Sequence, residues 1–262
     1  IIVAITSYAA RFWQPIMNLS NFYNQFINAA SGAERIFEII DKKATVVSKP
    51  DAPLMPQIKG KVDFNKVTFG YTPEVKVLKD VSFSVKEGET IALVGPTGAG
   101  KSTIVNLISR FYDIDSGTIT IDGKDITQVQ LESLRTQMGI MTQENYIFSG
   151  TIRENILYGK LDATEEEMLN AAKAVHADDF IRELENGYDT KLTARGGELS
   201  NGQRQLVAFA RTMLSNPAIL ILDEATSSVD TQTEKHVQAG LSKLLKGRTS
   251  FIIAHRLSTI RN

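Results

Sequence analysis

The feature that most constrains this chain is a glycine-rich segment, Gly95–Ser102, which reads GPTGAGKS and matches the pattern G-x-x-x-x-G-K-[ST]. It follows the apolar run TIALV and precedes TIVNLISRF, whose apolar residues recur at helical spacing. Glycines let a loop turn successive N–H groups toward an anion, and the start of a helix adds a favourable potential. This order of strand, loop and helix predicts a phosphate-binding site on an α/β fold.

A lysine and a hydroxyl stand where a site for nucleotide phosphates needs them. Lys101 is predicted to reach the β- and γ-phosphates and to assist catalysis, and Ser102 to offer its hydroxyl to Mg²⁺. The alternative is a glycine-rich turn that binds nothing, but it does not account for Lys-Ser in register between a strand and a helix. The residues predicted to contact the nucleotide here are Gly95, Pro96, Thr97, Gly98, Ala99, Gly100, Lys101, Ser102 and Thr103.

An acidic pair follows a second buried run, ILIL, at Asp223 and Glu224. We expect Asp223 to hold Mg²⁺ directly or through water, and Glu224 to orient or deprotonate the attacking water. A strand that ends in an acidic turn is common, so this pair alone is weak evidence. Together with the glycine-rich segment it predicts ATP hydrolysis.

Composition narrows the class of partner. The chain has 262 residues, a net charge of -1 and no cysteine. The charge gives no reason to expect a nucleic-acid partner, since such surfaces are usually basic. The lack of cysteine excludes disulfides, thiolate metal sites and a cysteine nucleophile, but identifies no compartment.

Three regions are predicted along the chain: a helical region over 1–41, a linker over 42–60 that contains Pro50, Pro53 and Pro56, and an α/β domain over 61–262. Within the last, short strands come first and a mostly helical insertion occupies about 144–215. The apolar start, Ile1–Ala10, continues to about Leu19 and falls short of the roughly 20 residues that span a bilayer. From the residues alone it is either a buried amphipathic helix or the last turns of a spanning helix.

The segment Leu199–Gln203, LSNGQ, resembles the LSGGQ signature of ABC ATPases, and it lies between the glycine-rich segment and the Asp-Glu pair, as in that family. Ser200 and Gln203 also form the pattern of a capping box at a helix start, and both interpretations can hold together. The resemblance implies a P-loop NTPase core with a mostly parallel sheet, an antiparallel β subdomain and a helical subdomain, preceded by a long helix.

Further family elements occur in the expected order. Tyr71 resembles the aromatic residue that stacks on adenine, although it could be an ordinary strand aromatic. Gln143 resembles the glutamine that contacts Mg²⁺ or the attacking water and senses the transmembrane part. Residues 228–230 resemble the D-loop, and His255 the switch histidine that contacts the γ-phosphate. The resemblance therefore implies catalytic roles for Gln143, Glu224 and His255, with Gln143 as a third Mg²⁺ contact.

The resemblance to ABC exporters also covers the N-terminal region, where SGAERIFEIID (31–41) looks like the segment that joins the last transmembrane helix to the nucleotide-binding domain. It implies that 1–41 is the end of that helix and its cytoplasmic extension, and that both chain ends are truncated. In the family two such domains, identical or different, pair head to tail, so Ser200, Asn201, Gly202 and Gln203 would contact the partner's ATP. The implied protein is a multi-pass cell-membrane exporter with this domain on the cytoplasmic side.

Two departures from the family pattern stand out. Asn201 replaces the middle glycine of the signature, and we expect it to keep the loop because asparagine tolerates a left-handed backbone. Ala194 stands where exporters commonly carry a glutamate that is thought to touch the coupling helices, which weakens the expected coupling contact. Three rival functions are a soluble ABC ATPase of DNA repair or translation, an importer ATPase, and an ATP-gated channel or regulator. The N-terminal region argues against the first two, and the sequence does not exclude the third.

Overall fold

The computed structural model describes residues 1–142, 146–223 and 231–253. By its internal contacts the chain divides into two compact units, Ile1–Thr45 and Val46–Asn262. The predicted residues Gln143, Glu224, His255 and 228–230 lie outside the described residues, so their roles stay predictions.

The first unit is dominated by the helix α1, Ile2–Ile40, which contains Pro15. Its apolar side chains, among them Phe12, Trp13 and Phe26, are exposed within this unit. Of the helices in the described ranges, none combines the length and the apolar character that a membrane span requires.

The second unit alternates strands and helices. Its helices are α2 Lys101–Ile108, α3 Leu131–Arg135, α4 Ile152–Leu157, α5 Glu165–Ala174, α6 Ala177–Glu183, α7 Asn201–Ser215 and α8 Thr231–Leu245. Its strands are β1 Val62–Phe69, β2 Leu78–Val85, β3 Thr90–Leu93, β4 Ser116–Ile121, β5 Lys124–Asp125, β6 Met138–Met141, β7 Gly150–Thr151, β8 Lys191–Leu192, β9 Ile219–Asp223 and β10 Thr249–Ile253. Two short 3₁₀ helices, Ile126–Gln128 and Gly187–Asp189, complete the described elements.

A parallel sheet forms the centre of this unit, with strand order β3-β10-β9-β6. The runs ILIL and TSFII lack polar alternation because both faces of a parallel sheet are covered. Alternate residues of β9 enter two different cores. Ile219 and Ile221 pack with the antiparallel sheet and α2, whereas Leu220 and Leu222 pack with α4 to α8.

The second sheet is antiparallel, in the order β2-β1-β4-β5. It packs through Val62, Phe64 and Ile119 into the same core as α2. On the opposite face of the central sheet, α4 to α7 form a mostly helical layer. The predicted α/β class, with a mostly parallel sheet, an antiparallel sheet and a helical part, is therefore confirmed.

The segment 46–60 behaves differently from the predicted linker. Ala52, Met55 and Ile58 are buried in the second unit, and the amide of Gln137 holds this segment by accepting from the Ile58 N–H at 2.8 Å and donating to the Pro56 carbonyl at 3.1 Å. Prolines suit an extended chain that packs across a surface as well as one that is solvated. The compact unit consequently begins near Val46 rather than after Gly60.

Candidate functional site

The glycine-rich segment lies between β3 and α2, in the strand, loop and helix arrangement that its sequence predicts. Gly98 and Gly100 both have φ of 85°, a left-handed conformation that favours glycine. Gly100 is the N-cap of α2, and within the described part of the chain no side chain caps the first turn of this helix. The turn's N–H groups are therefore available to an anion.

Lys101 is buried in this loop. Its Nζ donates to the carbonyl oxygens of Gly95 at 2.9 Å and Pro96 at 3.0 Å. These contacts hold the ammonium group against the loop that starts α2. The positive charge and the uncapped N–H groups thus converge on one small region, as phosphate binding requires.

Tyr71 lies just after β1, and its hydroxyl is 3.2 Å from the Thr103 hydroxyl on α2. Its ring packs edge-on against Phe69 and Tyr112, with centroid distances of 5.0 Å and 5.1 Å. The side chain is nevertheless 50% exposed. Tyr71 therefore presents an open aromatic surface beside α2, which suits stacking on a base. No sequence pattern indicates Tyr112, because it follows α2 in an irregular turn.

The ends of the parallel strands are level with one another. Ile253 of β10 pairs with Leu93 of β3 on one side and with Asp223 of β9 on the other. On the far side of β9, Met141 of β6 pairs with Leu222. The strands β3, β6, β9 and β10 therefore end at the same edge of the sheet, where Asp223 and the glycine-rich segment lie.

The described residues at this edge fit a magnesium ion by their chemistry. Ser102 provides an exposed hydroxyl near the start of α2, and Asp223 a partly exposed carboxylate at the end of β9. Hard oxygen ligands of this kind are the ones that Mg²⁺ prefers. One strand, β10, separates β9 from β3, so Asp223 and Leu93, the last residue of β3 before the glycine-rich segment, lie about 10 Å apart across the sheet.

The signature residues begin helix α7. The Ser200 hydroxyl accepts from the Gln203 N–H at 3.2 Å, and the Gln203 side chain accepts from the Ser200 N–H at 2.9 Å. The predicted capping box is therefore present. Gly202 is buried, whereas Ser200 and Asn201 are exposed at the helix start.

The expectation for the Asn201 backbone is wrong. Asn201 is the first residue of α7 and has a right-handed helical conformation, so no left-handed tolerance is needed there. Its side-chain oxygen instead accepts a hydrogen bond from Arg204, a contact that glycine cannot make. Arg204 also donates to the carbonyl oxygens of Leu199 at 2.7 Å and Gly196 at 3.1 Å. Asparagine therefore adds a contact within the first turn of α7, to the same arginine that bonds to the loop before the helix.

Ala194 lies in that same loop and is exposed. The next residue, Arg195, has φ of 73° and donates its N–H to the Ile147 carbonyl at 2.9 Å. The loop before the signature is thus joined to the segment that follows position 143.

The two predicted anion-binding helix starts lie on opposite faces of the central sheet. Helix α2 packs into the core that contains Ile219 and Ile221, and α7 into the core that contains Leu220 and Leu222. Side chains of neighbouring strand residues point to opposite faces. Within a single chain, the helix that the signature begins and the helix that follows the glycine-rich segment therefore pack on opposite faces of the sheet.

A cavity of about 660 Å³ lies elsewhere, beside Gln137, Ala218 and Arg248. These residues immediately precede β6, β9 and β10. The cavity is thus at the amino ends of the parallel strands, whereas the predicted site is at their carboxyl ends.

Comparison with known proteins gives one consistent family. The profile described as ABC transporter matches residues 78–227. The Bacillus subtilis protein named uncharacterized ABC transporter ATP-binding protein YknV is 51% identical over 262 residues, which is 100% of this chain and 43% of that protein. The fatty acid ABC transporter ATP-binding/permease protein of Mycobacterium bovis is 46% identical over 261 residues, 100% of this chain and 41% of that protein.

A lipid flippase and a solved structure give the same result. The ATP-dependent lipid A-core flippase of Syntrophus aciditrophicus is 46% identical over 250 residues, 95% of this chain and 41% of that protein. The structure of a bacterial Atm1-family ABC exporter with ATP bound matches with a TM-score of 0.80 and 41% identity, over 99% of this chain and 46% of that one. The chain thus spans about two fifths of the length of the curated relatives named here.

Proposed function

This chain belongs to the ABC transporter family, and from that premise we propose that it is the ATP-hydrolysing part of an exporter that moves a substrate across a membrane. The relatives whose names state a role include a fatty acid transporter and a lipid A-core flippase. An apolar or amphipathic substrate is consistent with those names.

The observation that carries the proposal is the level edge of the parallel sheet. The glycine-rich segment follows Leu93, and Asp223 ends β9 at the same height. Ligands of open α/β sheets bind at the carboxyl ends of the strands. ATP bound there would meet the loop N–H groups, the Lys101 ammonium and the residues that follow β6, β9 and β10.

Within this site each described group has a definite task. Lys101 would exchange its contacts with the Gly95 and Pro96 carbonyls for phosphate oxygens, and so offset their charge. The Tyr71 ring would stack on adenine, while the hydrogen bond to Thr103 keeps the Tyr71 hydroxyl in place. Ser102, Asp223 and Gln143 would hold Mg²⁺, which supplies further charge neutralisation at the transferring phosphoryl group. Glu224 would orient or deprotonate the attacking water, and His255 would contact the γ-phosphate.

The position of the signature supports a head-to-tail dimer. Because α2 and α7 lie on opposite faces of the sheet, Ser200 to Gln203 would act on the ATP of a second subunit, identical or different. Each of the two sites would then need both subunits. Closing and reopening of this dimer would drive a transmembrane part, with residues 1–41 as the continuation of its last helix and this domain on the cytoplasmic side of the cell membrane.

The decisive experiment replaces Glu224 by glutamine in the full-length protein. We expect steady-state ATP hydrolysis to fall about a hundredfold or more, because general-base assistance is lost, while ATP binding is retained. ATP should also shift the variant toward a closed dimer, measurable by cross-linking or native mass. Glu185→Gln, at an exposed position of the helical layer, is the matched control. Hydrolysis by the Glu224→Gln variant at the parent's rate would contradict the proposed role.

A further inference from the structure

Arg211 is a cation in the middle of α7, on the same helix that the signature residues begin. It is partly buried, and this burial lowers its pKa from the ordinary value of an arginine. A guanidinium has a very high pKa in water, so the group stays charged. Burial of a guanidinium costs free energy unless its N–H groups are hydrogen-bonded. The acceptors of these hydrogen bonds therefore show which part of the chain Arg211 holds in place.

Among the described residues, the Arg211 side chain donates its hydrogen bonds to one neighbouring segment. Nε donates to the Asn155 carbonyl at 2.8 Å, Nη2 to the Asn155 side-chain oxygen at 2.9 Å, and Nη1 to the Tyr146 carbonyl at 3.0 Å. The guanidinium carbon also lies 5.2 Å from the centroid of the Phe148 ring and 5.7 Å from that of Tyr158. One side chain thus joins α7 to α4 and to the chain that precedes it.

Asn155 extends this arrangement. It is almost fully buried, its side-chain oxygen accepts from the Phe148 N–H, and its amide donates to the carbonyls of Phe148 and Thr151, each at 2.9 Å. The segment 146–151 is therefore held by main-chain contacts at both ends. Because hydrogen bonds to the main chain fix backbone position, this segment cannot shift relative to α7 without breaking them.

The held segment begins three residues after Gln143. Three residues span at most about 10 Å even when fully extended, so a fixed Tyr146 carbonyl restricts where the chain can place the residue at 143. The preceding strand, β6, fixes the other side, since Met141 pairs with Leu222. The anchors on either side of this connection, Met141 and Tyr146, are therefore both fixed.

From this geometry we propose that Arg211 is a positioning residue for the ATPase reaction. Within one chain, Arg211 fixes the segment after Gln143 to the signature helix α7. In the proposed dimer, the first element serves the chain's own ATP and the second serves the partner's ATP, so Arg211 holds the contributions to the two sites in a set relationship. The inference rests on the proposed function, because its consequence is read in ATP turnover. Arg211 contacts none of the described residues that are predicted to bind nucleotide, so kcat should change and the KM for ATP should not.

The test compares Arg211→Met, which keeps the apolar stem and removes the fork of donors, with Arg211→Lys, which keeps the charge. In the full-length protein, reconstituted in lipid vesicles, we expect kcat to fall about tenfold for methionine, with KM for ATP within about twofold of the parent. Arg211→Lys keeps a charge and N–H donors, although all of them are on one nitrogen, so its kcat should fall less than that of Arg211→Met. The matched control is Arg153→Met, at an arginine of α4 whose side chain pairs at the surface with Glu165 and Asp189.

Hydrogen exchange provides a second readout that does not depend on activity. The Phe148 amide should lose protection in Arg211→Met and in Arg211→Lys, with little change in β9 or β10. A kcat equal to the parent's in either folded variant, or a lowered thermal midpoint with unchanged kcat and unchanged Phe148 protection, overturns the proposal. If Arg211→Met fails to fold, Arg211→Lys alone decides the matter by the same criteria. An inactive parent would instead contradict the proposed ATPase function.

Discussion

The starts of α2 and α7 are both predicted to face the phosphates of ATP, yet they are built differently. Gly100 is the N-cap of α2; it has a left-handed conformation, and no described side chain caps the first turn. Helix α7, in contrast, begins with a reciprocal capping box formed by Ser200 and Gln203. The N–H groups in the first turn of α2 remain available to a ligand, and the glycine-rich loop, not a capping side chain, stabilises this end of the helix. The start of α7 is already stable without a ligand. This difference suggests that α2 binds nucleotide in the single chain and that α7 joins only when a partner brings ATP to it.

Among variants at the two helix starts, the largest effect is expected from Gly100→Ala. Alanine at φ of 85° costs about 1 to 2 kcal/mol, and its β-carbon would come within 2.8 Å of Leu78 Cδ2. The first turn of α2 should shift, so the affinity for ATP should fall about tenfold. Titration of a fluorescent ATP analogue and thermal unfolding measure the two effects.

Gly123→Ala is the matched control for this change. Gly123 also has a positive φ, of 76°, but an added β-carbon meets no atom within 4 Å. This variant should lose a similar backbone contribution to stability and bind ATP as the parent does. Equal ATP affinities for the two variants would show that the start of α2 does not form the phosphate site.

A smaller effect is expected from Ser200→Ala. Loss of the cap costs about 1 kcal/mol of stability, and the exposed hydroxyl would no longer be available to a partner's nucleotide. ATP affinity of the separated subunit should be unchanged, but ATP-dependent dimer formation and turnover should fall. Analytical ultracentrifugation with and without ATP measures the first.

Thr164→Ala provides the control, because Thr164 and Glu167 form the same capping box on α5. It should cost similar stability and leave dimer formation and turnover unchanged. If Thr164→Ala impairs turnover as much as Ser200→Ala does, the signature serine acts through helix stability alone.

The smallest effect is expected from Asn201→Gly, which restores the family's glycine. The variant loses the Arg204 contact, but Arg204 keeps its bonds to Leu199 and Gly196. A change of about 0.5 to 1 kcal/mol in stability is expected, from the helix propensity of glycine and one hydrogen bond near the surface. Turnover within about twofold of the parent would fit this view, and a large change would assign Asn201 a direct contact with the partner's nucleotide.

Sequence patterns predicted the elements that are buried on both faces or amphipathic over several turns. The strands β3, β9 and β10 were evident as continuous apolar runs, and α7 as a capped amphipathic helix. Strand β6 was not evident, because Met138–Met141 contains Gly139, a residue that weakens any strand signal. The structure gives the reason for this glycine, since a β-carbon there would lie 2.7 Å from Pro217 and 2.9 Å from Thr212. Tertiary packing, which single-residue patterns do not contain, decided that position.

The site divides in a similar way. Local motifs indicated the glycine-rich segment, the capping box and the acidic end of β9. They could not indicate that Tyr71 bonds to Thr103 or that Arg211 holds Tyr146, because these pairs are far apart in the chain and carry no local periodicity. Proline content predicted a linker over 42–60 but could not indicate that Met55 and Ile58 in this stretch enter the core.

The alignment of the strand ends at one edge of the sheet limits which mutations such a protein can accept in evolution. Insertion of one residue within β9 would turn every later side chain of the strand to the opposite face. Ile219 and Leu220 belong to different cores, so both cores would be disrupted while Asp223 moved past the edge that Ile253 and Leu93 define. Substitutions can therefore accumulate in these strands, whereas insertions and deletions should be confined to the surface turns. We therefore expect the lengths of the sheet strands to be more strongly constrained in evolution than the identities of their residues.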